Sequence, residues 1–227
     1  NISKVAVLGS GIMGSGIACH LANVGIEVLL LDIIPENFKT SQNKNERNSI
    51  VNKALTAAVK SKPSPLYAKN KLSNITTGNF DDDFEKIENC DWIIEVVVER
   101  LDIKNIIFEK VDQFRKQGSI VSSNTSGIPI NSMLEERTDD FKTHFLGTHF
   151  FNPPRYLRLL EIIPTNFTDK NVIDFMLEFG SKILGKTTVL CKDTPAFIAN
   201  RVGVFAIQEL FHIVHEMDLS VADVDLL

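Results

Sequence analysis

A glycine-rich turn near the start of the chain constrains the fold more than any other feature. Gly9, Gly11 and Gly14 have the spacing G-x-G-x-x-G. They follow the apolar segment Lys4–Leu8 and open the predicted helix 12–24. In such a unit the first glycine permits a tight turn, the second lets the backbone approach a pyrophosphate, and the third lets helix and strand pack closely. Free N–H groups at the helix start attract phosphates. The turn predicts a dinucleotide-binding site formed by Gly9, Ser10, Gly11, Ile12, Met13 and Gly14.

An acidic residue at the end of the second predicted strand indicates which dinucleotide binds. Asp32 ends the apolar segment 26–32 and lies 18 residues after Gly14. A carboxylate there can accept hydrogen bonds from both ribose hydroxyls and would repel a 2′-phosphate. The next three residues, Ile-Ile-Pro, include no arginine. NAD is therefore favoured over NADP, although an aspartate at a strand end can also serve only as a helix cap.

Strand-like and helix-like segments alternate along most of the chain. Further strands are predicted at 75–77, 92–98, 119–123, 144–151, 157–163 and 187–191, and further helices at 37–62, 81–89, 103–116 and 171–184. Alternation of this kind predicts an α/β protein of the Rossmann type, with a doubly wound, mostly parallel sheet that ends in an antiparallel part.

The pattern becomes helical near Asp193, and a domain boundary is predicted there. Residues 1–192 are expected to form an NAD-binding domain, and residues 193–227 the first helices of an all-helical C-terminal domain that is cut short. Thr194 can cap the first of these helices, with Pro195 as its first helical residue.

Composition excludes several classes of protein. The formal net charge of −5 makes the chain a poor candidate for nucleic-acid binding. No apolar run approaches the ~18 residues that a membrane span needs. The 3 cysteines are odd in number and widely spaced, which favours a reducing compartment such as the cytoplasm over a disulfide framework. His212 and His215 share a helix face but lack a third ligand, so no metal site is expected.

A histidine and a glutamate on neighbouring apolar segments are candidates for proton transfer. His149 lies near the end of the predicted strand 144–151, and Glu161 lies inside the next one, 157–163. If these strands form an antiparallel pair that turns near Arg155, the two side chains fall opposite one another. A histidine held by a carboxylate is an oriented general base. A structural buried pair, or a glutamate that faces solvent from an edge strand, remains an alternative.

Two further polar features could contact a substrate. Ser122–Gly127, with the sequence SSNTSG, follows a predicted strand, and its hydroxyls and amide could hold a substrate oxygen. The same residues could equally form a turn that caps a helix near 131–136. Asn200 interrupts an apolar helical segment, where it is either exposed or reaches into a cleft.

Five sequence runs together indicate a known family. They are VAVLGSGIMGSGIA, IEVVVERLDIKN, SSNTSGIPI, GTHFFNPPRYLRLLEII and CKDTPAFIANR, in that order from about residue 5 to residue 201. The chain resembles the NAD-dependent L-3-hydroxyacyl-CoA dehydrogenases of fatty-acid β-oxidation. The resemblance implies oxidation of an acyl-CoA thioester substrate. It further implies that His149 is the base, that Glu161 orients it, that Ser126 binds the substrate 3-oxygen and that Asn200 contacts the substrate.

The resemblance also implies residues that line the cofactor and the CoA group. They are Glu99, Lys104, Asn124 and Asn152 for the cofactor, with Lys104 also near the substrate. Lys53, Lys60 or Lys62, in the segment 37–62, is expected near the CoA phosphates. The run KSKPSPLYAKN is more similar to the dehydrogenase part of a multifunctional β-oxidation protein than to the short enzymes, so the whole protein is expected to be such a fusion or a homodimer.

Two other functions remain open. A 3-hydroxyacid or 6-phosphogluconate-type dehydrogenase also opens with GxGxMG, but those enzymes use a lysine for proton transfer. A non-catalytic, crystallin-like NAD-binding protein would share the fold and would not need the His149, Glu161, Ser126 and Asn200 set.

Overall fold

The structure is a computed structural model that describes residues 1–226. One sheet contains eight strands: β1 (Lys4–Leu8), β2 (Glu27–Asp32), β3 (Ile75–Asn79), β4 (Trp92–Glu95), β5 (Ile120–Ser123), β6 (Phe145–Phe150), β7 (Leu159–Pro164) and β8 (Thr187–Leu190). The α-helices are α1 (Ile12–Asn23), α2 (Lys44–Arg47), α3 (Ser49–Lys60), α4 (Leu101–Phe114), α5 (Asp139–Thr143), α6 (Lys170–Lys182), α7 (Ala199–Glu216) and α8 (Val221–Asp225). Leu227, the last residue of the predicted C-terminal segment, lies outside the described residues.

The order of the strands confirms the predicted sheet. Neighbours follow the order β3-β2-β1-β4-β5-β6-β7-β8. All pairs from β3 to β6 are parallel, β6 and β7 are antiparallel, and β7 and β8 are parallel. The carboxyl ends of β1, β2, β4, β5 and β6 therefore meet at one edge. Ligands bind at this edge in open α/β sheets.

Both faces of the sheet are buried at its central strands, as expected for parallel strands that are covered by helices on each side, whereas the edge strand β8 is partly exposed. On β1, Val5 and Val7 belong to one core cluster, whereas Ala6 and Leu8 belong to the other. The alternation follows from the two-residue repeat of side chains along a strand. Some buried positions of the strands are polar and paired: Trp92 Nε1 donates to Ser122 Oγ at 2.9 Å, and both side chains are fully buried.

The predicted long helix over 37–62 is wrong. The segment contains a 3₁₀ turn at Glu36–Phe38 and then α2 and α3, which meet at Asn48. Asparagine side chains explain the breaks, because they bind backbone and side-chain groups that compete with a continuous helix. Asn43 caps α2, because its Oδ1 accepts a hydrogen bond from Asn45 N at 3.0 Å. Asn48 Oδ1 accepts from the buried Asn79 Nδ2 at 2.7 Å.

Two shorter predicted helices are 3₁₀ turns. The segment 81–89 is helical only at Phe84–Asn89, because Asn79 Oδ1 accepts hydrogen bonds from Asp81 N and Asp82 N and holds the acidic stretch in a turn. The helix considered near 131–136 is reduced to Ile130–Met133.

The C-terminal helix begins later than predicted. α7 starts at Ala199 with Ile198 as its N-cap, so Thr194 and Pro195 do not initiate it. The chain turns at Ala196 and Phe197, whose φ angles of 64° and 49° are left-handed. The turn buries the Phe197 side chain in the core and delays the helix by one turn. Most of the apolar side chains of α7 are exposed, and Val214 is half-buried. Within residues 1–226, no helix meets the length and hydropathy that a membrane crossing requires.

Candidate active site

The glycine turn leaves an open backbone surface at the start of α1. A Cβ on Gly9 would lie 2.5 Å from Val96 O, and one on Gly14 would lie 1.9 Å from Gly9 O. Both glycines are therefore required by packing. A Cβ on Gly11 would meet no heavy atom of the described residues within 4 Å. Gly11 is the N-cap of α1, so a pyrophosphate can approach the helix N-terminus there, and the turn fits a dinucleotide.

Asp32 lies against this turn, at the carboxyl end of β2. Its Oδ2 accepts hydrogen bonds from Ser10 N at 2.7 Å and from Ser10 Oγ at 2.5 Å. Its Oδ1 accepts from Ile33 N at 2.7 Å. The predicted phosphate turn and the predicted ribose carboxylate are thus brought together. Ile12 is exposed at the edge of the turn, and Met13 is half-buried.

His149 and Glu161 face one another across β6 and β7, as the antiparallel arrangement predicts. His149 Nδ1 lies 2.7 Å from Glu161 Oε2, and both side chains are buried. An ionised carboxylate only accepts hydrogen bonds, so Nδ1–H donates and Nε2 is left as the basic atom. Nε2 lies 3.2 Å from Ser126 Oγ, which is exposed. Glu161 therefore orients the imidazole from one side, and Nε2 on the other side is directed at the Ser126 hydroxyl.

Asn200 completes a cluster around this base. It lies in the first turn of α7, and its Nδ2 is 3.4 Å from Ser126 O. The structure thus unites four residues that are up to 74 positions apart in sequence.

Glu99 and Lys104 belong to a charged network that sequence reasoning described only in part. Lys104 is 1% exposed, and its Nζ lies 2.8 Å from Glu95 Oε1 and 3.1 Å from Glu99 Oε2. Its ammonium is enclosed by carboxylates rather than presented at the surface. Glu99 Oε1 accepts from Thr125 Oγ1 and from Ser126 N at 3.0 Å, so it holds the loop that carries Ser126.

Glu95 is the member of this network that sequence reasoning missed. Burial raises its pKa, against the opposing effect of Lys104. Partial burial also acts to raise the pKa of Glu99, but hydrogen bonds from Thr125 and the Lys104 charge outweigh it and leave that pKa lowered. A carboxylate inside the apolar run WIIEVVV was the available signal, of the same kind that identified Glu161.

Asn124 and Asn152 have different surroundings. Asn124 is buried at the end of β5, and its Oδ1 accepts from Phe150 N at 2.9 Å. Asn152 is exposed and lines a cavity of about 570 Å³, with Ser10, Gly11 and Lys62 among the other lining residues. Lys53 and Lys60 line a separate groove along α3. Of the three candidate lysines, Lys62 is the one that shares a cavity with the glycine turn.

Two cations hold the loop 151–158, which contains Asn152 and joins β6 to β7. Nothing in the sequence indicated that they do so. Lys186 Nζ donates to Pro154 O and to Leu157 O, and burial lowers the pKa of Lys186 to about 8. Arg155 Nη1 donates to Ser64 O at 2.6 Å, and its guanidinium lies over the Tyr67 ring. These contacts join the loop to residues 63–67 and shape the cavity wall.

Comparison with known proteins identifies the family. Residues 4–194 match the family model described as "3-hydroxyacyl-CoA dehydrogenase, NAD binding domain". The chain belongs to the 3-hydroxyacyl-CoA dehydrogenase family. It therefore carries the NAD-binding domain of an NAD-dependent oxidoreductase family, which confirms the predicted cofactor.

Individual relatives agree with this family. The chain is 55% identical to a probable 3-hydroxyacyl-CoA dehydrogenase of Bacillus subtilis, over 91% of this chain and 27% of that protein. It is 45% identical to a putative fatty acid oxidation complex trifunctional enzyme of Rickettsia felis, over 91% of this chain and 28% of that protein. The chain thus spans less than a third of these two relatives. The crystal structure of (S)-3-hydroxybutyryl-CoA dehydrogenase from Ralstonia eutropha is similar, with 26% identity and a TM-score of 0.78 over 98% of this chain and 75% of that one.

Proposed function

We propose that this chain contributes the dehydrogenase activity that oxidises an L-3-hydroxyacyl-CoA to the 3-oxoacyl-CoA with NAD. The observation that carries the proposal is the His149 imidazole, held by Glu161 at 2.7 Å with Nε2 directed at the Ser126 hydroxyl. A base in this position can accept the proton of a substrate hydroxyl that binds beside Ser126.

The residues that would hold NAD come from the edge at which the parallel strands end. The glycine turn would hold the pyrophosphate, Asp32 would hold the adenosine ribose, and Glu99 and Asn152 would line the nicotinamide end. When bound, NAD supplies a hydride acceptor for carbon 3 of the substrate. Glu99 also holds the backbone of Ser126, so it joins the cofactor side of the site to the substrate side.

Proton transfer is the task of His149. Nε2 accepts the proton of the 3-hydroxyl, and Nδ1–H keeps its hydrogen bond to Glu161. The adjacent carboxylate stabilises the imidazolium that results. Ser126 hydrogen-bonds the 3-oxygen, and Asn200 contacts the substrate from α7. A general base placed in this way contributes roughly 10²–10⁴-fold to the rate.

We expect the acyl-CoA to bind along the face that joins α3 to the glycine turn. Lys62 lines the cavity on this face, and Lys53 and Lys60 extend the positive charge along α3 towards the CoA phosphates. Lys104 acts through Glu99 and the Ser126 loop, because its ammonium is buried.

The proposal extends to domains and assembly. Residues 1–192 act as the NAD-binding domain, and residues 193–227 begin the helical domain that supplies Asn200. The trifunctional relative supports a fused, multifunctional protein, and a homodimer is the other arrangement we consider. The three cysteines are free and buried, which suits the cytoplasm.

A spectrophotometric assay tests the function. Acetoacetyl-CoA added to the full chain with NADH is expected to cause loss of the near-ultraviolet absorbance of NADH, and His149→Gln is expected to suppress that loss. Binding of NADH without any turnover would contradict the proposal and favour a non-catalytic NAD-binding protein.

A further inference from the structure

The Glu161 carboxylate is shared between the base and the start of α7. Oε2 contacts His149 Nδ1, whereas Oε1 accepts hydrogen bonds from Ile198 N at 3.0 Å and from Ala199 N at 2.8 Å. Glu161 is 0% exposed. A carboxylate in such a place needs donors for both oxygens, and the helix supplies them to the oxygen that the histidine does not reach.

An unusual turn aims these two N–H groups at Glu161. Ala196 and Phe197 are both left-handed, with φ angles of 64° and 49°, a conformation that costs energy in residues other than glycine. Phe197 is 2% exposed, and its ring centroid lies 5.8 Å from that of His149. The strained turn is therefore packed against the same histidine whose partner it supports.

Asp193 attaches the beginning of this segment to the sheet domain. Its carboxylate accepts from Ile130 N and Asn131 N, each at 2.9 Å, and from Asn131 Nδ2 at 2.6 Å. The segment 193–199 is thus held at one end by Asp193 and delivers N–H groups to Glu161 at the other. Within residues 1–226, the Asp193 carboxylate makes no hydrogen bond to His149 or Glu161.

We propose that residues 193–199 form a clamp for the Glu161 anion, with Asp193 as its positioning residue, so that seating of α7 sets how readily His149 acts as a base. The inference rests on the proposed function. Hydrogen bonds to an ionised carboxylate, together with a helix N-terminus, favour its charged form. When the segment is displaced, the His149–Glu161 pair loses these donors and takes up a proton more easily.

Cys191 and Glu99 are further titratable groups near the His149–Glu161 pair. Cys191 lies beside Glu161, and burial followed by the Glu161 charge raises the pKa of its thiol to about 12, so it stays neutral. Glu99 lies behind the Ser126 backbone and is ionised at neutral pH, because its pKa is lowered.

Asp193→Asn tests the clamp. The new amide NH₂ would face the N–H donors of Asn131, so the hydrogen bonds that hold residue 193 would be lost in part. The control is Asp91→Asn. The Asp91 carboxylate also accepts three hydrogen bonds, from Ser3 N, Ser3 Oγ and Lys4 N, but it lies at the opposite edge of the sheet. We expect Asp193→Asn to move the acidic limb of the kcat/KM–pH profile up by about 0.5 unit or more, with unchanged affinity for NADH. Asp91→Asn should leave the profile in place.

A second pair of variants tests the turn itself. Ala196→Gly adopts the left-handed conformation without a Cβ and should keep the original pH profile, whereas the β-branched Ala196→Val should shift it in the same direction as Asp193→Asn. The comparison of Ala196→Gly with Ala196→Val tests the clamp even if Asp193→Asn does not fold.

Nuclear magnetic resonance of the His149 ring nitrogens, with no substrate present, separates this inference from the proposed function. A higher titration midpoint in Asp193→Asn or Ala196→Val than in the matched controls supports the clamp. Equal midpoints in folded Ala196→Val and Ala196→Gly would overturn it. Absence of turnover in the unmodified chain would instead contradict the proposed function.

Discussion

Ser10 donates both its backbone N–H and its hydroxyl to one oxygen of Asp32. The contact joins the turn that is predicted to bind the pyrophosphate to the carboxylate that is predicted to select NAD over NADP. Any change at Asp32 therefore affects the shape of the turn as well as its charge, and a test of cofactor choice must separate the two effects.

The charge of Asp32 should exclude NADPH. We expect binding of NADPH to be at least ~10-fold weaker than binding of NADH, because a 2′-phosphate would face a like charge. Asp32→Asn keeps an oxygen that accepts from Ser10 and removes the charge. This variant, combined with Ile33→Arg at an exposed position, should narrow or reverse the preference. Calorimetric titration with both dinucleotides measures the ratio, and equal affinities in the unmodified chain would refute the ribose assignment.

His149 and Glu161 should act as a unit. We expect His149→Gln and Glu161→Gln each to lower kcat while the affinity for NADH changes little. The double variant should be scarcely worse than the worse single variant, because coupled catalytic groups are not additive. Steady-state kinetics on the four proteins checks this. Multiplicative losses would mean that the two side chains work independently.

The buried Lys104–Glu95 pair should be costly to break from one side. Both side chains are at most 1% exposed. Lys104→Met is therefore expected to lower the free energy of unfolding by about 3–5 kcal/mol, because Glu95 is left as an uncompensated buried charge. Adding Glu95→Gln should recover part of that loss. Denaturant titrations provide the comparison, and a double variant that is no more stable than Lys104→Met would contradict the explanation.

Lys186 should make stability depend on pH in the alkaline range. Burial lowers its pKa to about 8, below the ordinary value of 10.5. The unfolded chain therefore binds more protons between these pH values, so the contribution of Lys186 to the free energy of unfolding rises from pH 8 to pH 10.5. A neutral amine still has two N–H donors for Pro154 O and Leu157 O.

The reference for this measurement is Lys186→Met, which lacks the titration. The difference in unfolding free energy between the unmodified protein and Lys186→Met should grow as the pH is raised across that range. A difference that stays constant or shrinks would show that burial does not destabilise the protonated amine of Lys186 in the folded protein.

Features that depend on neighbours along the chain could be predicted from the sequence. The strand–turn–helix unit at Gly9–Gly14 is local, because the backbone freedom of glycine and the start of α1 are set within a few residues. The pairing of His149 with Glu161 also followed from local pattern, since a short connection forces antiparallel strands and the two-residue repeat fixes which side chains oppose.

The breaks inside 37–62 and the start of α7 could not be predicted in this way. Asn48 ends α2 partly through a partner 31 residues away, Asn79. Phe197 delays α7 because its side chain is buried in a core that is formed by distant segments. Local helix preference is weaker than such packing.

The sequence by itself determined the mostly parallel sheet and the family to which the chain belongs, and it predicted the residues of the candidate site. Only the tertiary structure decided their partners: Glu95 buried against Lys104, Glu99 beneath the Ser126 loop, and the N–H groups of Ile198 and Ala199 on Glu161. The physical reason is that a buried charge must be satisfied by whichever donors the packed fold brings within reach. Those donors come from segments that are far apart along the chain, and their separation in sequence does not indicate their distance in space.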